Sequence, residues 1–379
     1  MMDSSLAVAH FGEDSSREPV LVDVGTCNAL GLDPHQTWAF RRAELTAFVE
    51  SPFRLPSGNV LSFGRVRQLD PRLVGVERVV ALAVRALDAI GGTLAKIPRE
   101  AKLGLFLCLP ARCDLERGDR SGRQLRRRLE SAVVGPFLER GFDVVARSVA
   151  RGHASLAYAA LDVGRMLEQR QLDIAVVLGA DSHYDPLVLE AHFERERVLD
   201  SEWREAFVPG EAATALVLAR PQVARELGMT PTARLMSAAT GEEVATRDDD
   251  VGLLGLGLSR PAVAVAKRLK REGRPLDWWL CDVTGETFRI QELQLAWPRA
   301  AHIAMTPDGS LDMLPSHFGD LGAATMPTGV MLGCEGLRRG DPVGTTFLVS
   351  GSSDEGHRGV VLFEVIHPQR DAAPSSSRP

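Results

Sequence analysis

The stretch Gly210-Glu211-Ala212-Ala213-Thr214-Ala215-Leu216-Val217-Leu218 is a glycine turn that leads into an apolar run, and it predicts a strand. Upstream, residues 173–179 form a second apolar run, of the kind found in strands buried on both faces. Between and around such runs, segments with apolar residues at helical spacing alternate with strands. This alternation predicts an α/β protein with mostly parallel, covered sheets.

The same order of signals occurs twice along the chain. Further strands are predicted at residues 19–25, 103–109, 142–149, 232–236, 278–283, 300–305, 345–350 and 359–366. Helices are predicted at residues 32–40, 75–90, 122–138, 154–169, 260–271 and 323–332, with a partly helical loop at 190–197. Each half places a sharp turn before a small-residue helix and closes on an apolar hairpin, so two similar halves packed face to face are expected. The predicted organisation is a disordered tail at 1–18, an N-terminal half at 19–222, a C-terminal half at 223–368 and a disordered tail at 369–379.

Composition excludes several classes of function. The chain has 379 residues, 45% of them hydrophobic, and a net charge of −6, which argues against nucleic acid as a partner. No segment is long and apolar enough to predict a membrane span, and the N-terminus lacks the basic start of a signal peptide, so a cytoplasmic protein is expected. The five cysteines lack the spacing of a zinc or redox site, which predicts reduced core thiols and neither a metal nor another cofactor.

Two motifs carry a resemblance to a known family. Val198-Leu199-Asp200, followed by residues 205–218, resembles the segment that closes the N-terminal half of β-ketoacyl synthases, members of the thiolase superfamily. Gly319-Asp320-Leu321-Gly322-Ala323-Ala324 is similar to a glycine-rich turn of the same family that contains a catalytic histidine. The resemblance spans roughly residues 19–366 in the family's order. It implies a duplicated, thiolase-like five-layer αβαβα sandwich, usually a homodimer.

The resemblance also implies a catalytic cysteine at a tight strand-to-helix turn, where the helix N-terminus lowers the thiol pKa. In this chain the turn is Gly152-His153-Ala154-Ser155, and His153 holds the cysteine position. An imidazole cannot form the stable thioester on which transacylation depends. His153 is therefore either a buried structural imidazole or a catalytic group of another kind. Ser155, the nearby hydroxyl, is either bonded to the backbone one turn earlier or a nucleophile.

Other positions of the family's site are altered too. Thr284 takes the place of the first family histidine, and Glu286 adds a carboxylate that would repel an oxyanion. Gly319 takes the place of the second histidine, although a bulge could return His317 to it. The resemblance thus gives His153, Thr284 and His317 as catalytic candidates. The substrate-binding candidates it gives are Ser155, Gly319, Asp320 and Gly322.

Three further features of the sequence concern the family's motifs, the other histidines and the arginines. The family's lysine is missing from residues 312–316, and the glycine-rich gate reads Gly351-Ser352-Ser353-Asp354-Glu355-Gly356, without its aromatic residue and with two acids. His183, His192 and His302 are isolated in sequence and are expected to be exposed or structural. Arginines crowd residues 117–128, which predicts either a solvated helix face or a surface that attracts an acidic acyl carrier protein.

The leading hypothesis from the sequence is a β-ketoacyl synthase-like protein without standard Claisen condensation activity. It would act as an accessory subunit that binds an acyl group or an acyl carrier protein, as a homodimer or as a heterodimer with a related synthase. One alternative is an active acyltransferase or decarboxylase that uses a non-cysteine site around His153. The other is a purely structural interaction subunit.

Overall fold

A computed structural model describes residues 6–12, 17–247 and 252–367. Strands are numbered along the chain as β1 (Ala7–His10), β2 (Val20–Asn28), β3 (Phe48–Arg54), β4 (Val60–Gly64), β5 (Leu103–Leu109), β6 (Val144–Ala150), β7 (Ile174–Ser182), β8 (Glu211–Ala219), β9 (Ala233–Glu242), β10 (Leu276–Cys281), β11 (Met305–Met313), β12 (Thr346–Ser352) and β13 (His357–Val365). The α-helices are α1 (Pro34–Arg42), α2 (Gly75–Ala89), α3 (Gly91–Leu94), α4 (Arg120–Glu139), α5 (Ser155–Glu168), α6 (Pro186–Phe193), α7 (Pro221–Glu226), α8 (Leu256–Arg271), α9 (Thr287–Ala304), α10 (Pro315–Phe318) and α11 (Thr325–Arg338).

The main sheet shows the internal duplication directly. Its strand order is β11-β10-β12-β13-β9-β2-β8-β7-β5-β6, so that five strands of each half follow one another in mirror order from a central junction. At the junction, Val20 pairs with Arg234 and Leu21 pairs with Ala233. The α/β class predicted from the sequence is confirmed. The predicted boundary at residue 222 falls in α7, between β8 and β9, and stays a prediction.

Helices cover both faces of each half-sheet. The largest apolar cluster contains α5, α11 and inward-facing residues of both half-sheets, so these two helices form a shared central layer. A second cluster joins α2 and α4 to the N-terminal half-sheet, and a third joins α8 and α9 to the C-terminal half-sheet. Since a strand points successive side chains to opposite faces, each half-sheet contributes to the central cluster and to one outer cluster. The result is the expected five-layer αβαβα sandwich.

The central helices begin at equivalent sharp turns, which we name the first elbow (residues 152–154) and the second elbow (residues 322–324). Both are short 3-10 turns, and each starts at a glycine with a φ of +52°. Glycine adopts this left-handed conformation without a steric penalty. The turns bring the first residues of α5 and α11 close to one another between the half-sheets.

Two sequence predictions are wrong in part. Residues 300–305 were expected to form a strand, but all except Met305 belong to α9, where Ala296 and Ala300 are buried one turn apart. A short apolar run fits a strand and a buried helix equally well, so length decides between them. The N-terminal segment 1–18 was expected to be a loose tail, yet β1 pairs antiparallel with β9. Residues 1–5, 13–16 and the predicted C-terminal tail at 369–379 lie outside the described residues.

Candidate active site

The first elbow is held by hydrogen bonds to the main chain. β6 ends at Ala150, and the hydroxyl of Ser155 accepts a bond of 2.9 Å from the backbone N–H of Arg151 and donates one of 3.1 Å to the carbonyl of Leu109. Both partners are backbone atoms, and Ser155 is fully buried. The Ser155 hydroxyl therefore fixes the turn that precedes α5, in a manner typical of a serine at a helix start.

His153 forms an ion pair with Asp320 across the two halves. Its Nε2 lies 2.6 Å from Asp320 Oδ1, and both side chains are buried. Burial alone lowers the pKa of His153, but the Asp320 carboxylate outweighs burial and raises the pKa to about 9. Despite burial, the ion pair with His153 holds the pKa of Asp320 well below its usual range. His153 is therefore an imidazolium at neutral pH.

The second elbow leaves no room for a side chain beside a buried acid. A Cβ on Gly322 would lie 2.0 Å from Oδ2 of Asp181. This carboxylate accepts hydrogen bonds from the backbone N–H groups of Ser182 and Ala323, and from Arg112 at 3.2 Å. Gly322 thus allows Asp181 to reach the N-terminus of α11, and its own N–H donates to Asp320 at 2.9 Å.

Gly319, another substrate-binding candidate, serves the loop before the second elbow. Its φ is +78°, and a Cβ there would lie 2.7 Å from the carbonyl oxygen of Val208. The backbone N–H of Asp320, the next residue, donates to the same carbonyl at 2.8 Å. The glycine therefore permits the close approach that places the Asp320 carboxylate beside His153.

A cavity of about 430 Å³ lies beside His153, and we call it the His153 cavity. One wall is apolar and includes Leu187, Val188 and Ala191, which lie on one face of α6. The remaining lining is largely ionisable; it includes Arg112, His153, Asp181, His183, His192, Arg195, Arg197, Asp354 and Glu355. The volume is within the range of small-molecule sites.

His183 and His192, which are isolated in sequence and were expected to be exposed or structural, pack against each other in the structure. His183 is 6% exposed, its ring centroid lies 5.1 Å from that of His192, and both rings pack against Phe207. Burial lowers the pKa of His183, and burial together with His183 lowers the pKa of His192 to about 3. Both rings are therefore neutral near pH 7, in contrast to His153. His302, the third histidine of that prediction, is exposed.

Glu286 does not present a free carboxylate to the cavity. Arg197 donates to it at 2.7 and 3.0 Å, and Arg289 at 3.3 Å. The same arginines bind Asp354 of the gate segment (residues 351–356), with contacts of 2.5 Å from Arg197 and 2.7 Å from Arg289. The expectation that Glu286 repels an oxyanion stays a prediction, and it has to allow for the two guanidinium groups that bind the carboxylate. Sequence reasoning missed both arginines, whose shared partner Asp354 is distant from each of them in the chain.

Thr284 and His317 have other surroundings. Thr284 donates to Glu286 at 3.1 Å and lines a separate cavity of about 400 Å³ with residues such as Phe207 and Ile290. His317, in α10, has Nδ1 3.3 Å from the carbonyl oxygen of Leu45 and Nε2 3.7 Å from Glu44. The structure thus brings Asp320 to His153, while the contacts of Thr284 and His317 lie with other residues.

All five cysteines, Cys27, Cys108, Cys113, Cys281 and Cys334, are buried, and none lines the His153 cavity. Burial raises the pKa of the Cys27 thiol to about 11 and that of Cys113 to about 12, and it raises the pKa values of Cys108, Cys281 and Cys334 as well. A buried, protonated thiol is a poor nucleophile.

Among the described residues, no group of three or more His, Cys, Asp or Glu side chains is arranged to hold a metal ion. Nor does any helix in this part of the chain have the length and apolar character needed to cross a bilayer.

Comparison with known proteins yields a structural likeness alone. No protein-family model and no curated protein matches the chain. Among solved structures, the chain is similar to a ketosynthase complex of a type II polyketide synthase, whose ketosynthase is bound to a hexaketide and to its acyl carrier protein. The TM-score is 0.73 at 14% identity, covering 92% of this chain and 100% of that chain.

Two further structures agree. The ishigamide ketosynthase/chain length factor gives a TM-score of 0.66 at 18% identity, with 92% of this chain and 99% of that chain covered. The ketosynthase from module 6 of the bacillaene synthase of Bacillus subtilis 168 gives 0.67 at 14% identity, with 93% and 72% covered. Alignment over nearly the whole chain confirms the fold that the sequence motifs implied. The chain has the thiolase-like fold of the ketosynthases.

Proposed function

We propose that this chain is an accessory subunit of ketosynthase type, which binds an acyl group or an acyl carrier protein without performing cysteine-based condensation. The observation that carries the proposal is the His153–Asp320 ion pair at the first elbow, where the resemblance implies a thiol. A salt-bridged imidazolium has no free electron pair on Nε2 with which to attack a thioester. The cysteines of the chain are buried elsewhere, so no other thiol replaces the missing nucleophile.

The test is acylation followed by condensation. Purified protein is incubated with hexanoyl-coenzyme A, and its intact mass is measured. We expect no hexanoyl adduct on the wild-type chain and no condensation product after malonyl carrier protein is added. Product formation by the wild-type chain would refute the proposal.

A gain-of-function variant serves as the control. His153→Cys places a thiol at the N-terminus of α5, where helix N–H groups stabilise a thiolate. If the cavity admits an acyl thioester, this variant acquires one hexanoyl group, while His153→Ser and the wild-type chain acquire none or far less. The comparison separates a missing nucleophile from a closed cavity.

A second candidate function is supported by the contact between His153 and Asp320. A carboxylate that orients and charges an imidazole is the arrangement of a general acid. An acyltransferase or decarboxylase that uses this dyad predicts that His153→Ala abolishes turnover of an acyl or malonyl thioester while the protein stays folded. Equal turnover by the wild-type chain and His153→Ala would eliminate this candidate.

A purely structural role would be favoured by a filled elbow with no adjacent space. The cavity beside His153 does not favour that alternative. Absence of both acyl binding and carrier binding would favour the purely structural role.

The partner we propose is an acidic carrier protein that docks on the arginine patch, defined as Arg117, Arg120, Arg123, Arg126, Arg127 and Arg128. Arg117, Arg120 and Arg127 are exposed, and none of the described carboxylates lies within 4 Å of them. Asp119 and Ser121, in the same segment, line the His153 cavity. Carrier docked on the patch would therefore be held beside the cavity. A solvated helix face is the alternative.

Charge reversal decides between these two readings of the patch. Arg120→Glu with Arg127→Glu is expected to weaken carrier binding and its salt dependence, while Lys96→Glu, an exposed reversal elsewhere, leaves both unchanged. Equal binding by all three proteins would leave the patch a solvated surface.

Pairing with a second copy or a related synthase is proposed through β6. This strand ends the sheet, and Val145 on it is 38% exposed. An edge strand offers unpaired backbone groups to another chain. Val145→Lys is expected to shift the molecular mass in solution towards the monomer, as measured by light scattering. An unchanged mass would place the interface elsewhere.

A further inference from the structure

Two of the four acids that line the His153 cavity are bound by arginines, while Asp119 accepts from the backbone N–H of Gly122 and burial beside Asp354 raises the pKa of Glu355. Asp181 accepts from Arg112 and two backbone N–H groups, and Asp354 is bound by two arginines. Asp320, just behind the lining, is bound by His153 and the N–H of Gly322. Since Asp320 occupies Nε2 of His153, the Nδ1–H of the imidazolium remains as a donor. The cavity therefore has unused donors and few unused acceptors.

Among the residues that line the cavity, His183 is the one whose surroundings indicate a bound ligand. It is 6% exposed, it lines the cavity, and within the described part of the chain neither ring nitrogen has a hydrogen-bond partner. Its nearest acid contact is Nε2 to Asp320 Oδ1 at 3.9 Å. Buried polar side chains without partners are rare in folded proteins, and a bound water, ion or ligand is one of the explanations for them. The titratable groups around this ring are Arg112, His153, Asp181, His192 and Asp320.

The apolar part of the lining indicates the rest of the ligand. Leu187, Val188 and Ala191 of α6, with Pro110 and Ala111, give the cavity apolar surface in addition to its donors. Leu187 is 70% exposed, so the apolar wall extends to the mouth of the cavity. A ligand that accepts hydrogen bonds from the donors and packs against the apolar residues has an anionic head and an aliphatic tail.

We propose that the His153 cavity binds a small aliphatic monocarboxylate, with its carboxylate among His153, His183 and Arg112 and its tail along α6. This inference rests on the proposed function, in which the subunit binds an acyl group. It gives the accessory subunit a ligand class: a free acid rather than a thioester.

Proton uptake is the signature of this mode of binding. Burial keeps His183 neutral near pH 7, whereas a carboxylate beside it favours the charged ring and raises its pKa. Binding at pH 7 therefore draws up to about one proton from the buffer, and affinity falls as pH rises above neutrality.

The experiment is isothermal titration of the full chain with hexanoate at pH 7, in PIPES and in Tris, which differ in ionisation enthalpy. We expect one equivalent to bind, with uptake of up to about one proton in the wild-type chain and none in His183→Gln. Arg112→Gln is expected to weaken hexanoate binding roughly tenfold, the loss of one charged hydrogen bond, while Arg72→Gln on the surface leaves it unchanged.

Hexanamide and hexylammonium are the matched ligands. Both are expected to bind at least about tenfold more weakly than hexanoate, because neither supplies a negative charge. Equal binding of either one, absence of hexanoate binding, or undiminished proton uptake in His183→Gln would overturn the inference. If His183→Gln fails to fold by circular dichroism, the ligand series and Arg112→Gln still decide. A failure here leaves the acylation result untouched, so the two proposals fall separately.

Discussion

Replacement of Asp320 by asparagine tests the ion pair that defines the site. Asp320→Asn keeps the size of the side chain and removes its charge. His153 is 8% exposed, and the difference between its ordinary pKa of 6.5 and its pKa of about 9 in the folded protein measures the electrostatic stabilisation. At about 1.4 kcal/mol per tenfold change in proton affinity, the raised pKa of His153 corresponds to roughly 3 kcal/mol of pH-dependent stabilisation, net of its burial. The cost of breaking other buried ion pairs, about 3–5 kcal/mol, is similar.

The stabilisation that the charged His153 provides should decrease as pH rises. Because the pKa of His153 is raised by folding, its stabilisation is fully present below pH 6.5 and is lost as pH rises through about 9. The wild-type free energy of unfolding should therefore fall by up to about 1.4 kcal/mol per pH unit across this window. In Asp320→Asn, burial lowers the pKa of His153, so this decline is absent.

Urea denaturation at half-unit steps from pH 6 to 9.5 measures the effect, and the difference between variant and wild-type chains removes contributions from other groups. The control is Asp341→Asn, which breaks an exposed ion pair with Arg42 and should cost no more than about 0.5 kcal/mol at any pH. Parallel curves for wild-type and Asp320→Asn, or imidazole resonances of His153 that titrate near 6.5 in the wild-type chain, would refute the reasoning.

Two further predictions concern residues that support the structure around the site. Gly322→Ala should lower the free energy of unfolding, measured in urea, by more than about 2 kcal/mol, because the left-handed φ and the contact with Asp181 both oppose a Cβ. The control is Gly91→Ala, which has open space around it and should change this free energy by less than about 1 kcal/mol. Glu211→Gln should cost about 3–5 kcal/mol, since it leaves Arg78, with a fully buried side chain, without its counter-charge; a loss below 1 kcal/mol would contradict this.

Much of the fold could be predicted because it depends on local patterns. Residues 103–109 were predicted as a strand with the bounds that β5 has, and α2 and α5 differ from prediction by one residue at their ends. Apolar periodicity and glycine turns encode these elements within a few neighbouring positions. The turn that contains Gly152 was predicted for the same reason, whereas His153 was singled out through the resemblance to the β-ketoacyl synthases. The hairpin of β3 and β4 was missed, since its strands mix polar and apolar residues without strict alternation.

The chemistry of the site could not be predicted, because it depends on contacts between distant parts of the chain. His153 and Asp320 are 167 positions apart, and Arg197 reaches Asp354 from 157 positions away. Asp320 was noted only as a substrate-binding candidate. Nothing near His183 in the sequence indicates that two elbows and a cavity meet there. A buried pair of opposite charges between halves becomes visible only when the topology is known.

The two halves, which are joined where β2 pairs with β9, depend on each other for folding. Each central helix packs against strands from both halves, so neither half has a complete interior of its own. A fragment that ended near residue 222 would expose one side of α5 to water and would lack the carboxylate that charges His153. We therefore expect folding and formation of the His153 cavity to be one cooperative event, with the two halves interdependent rather than modular.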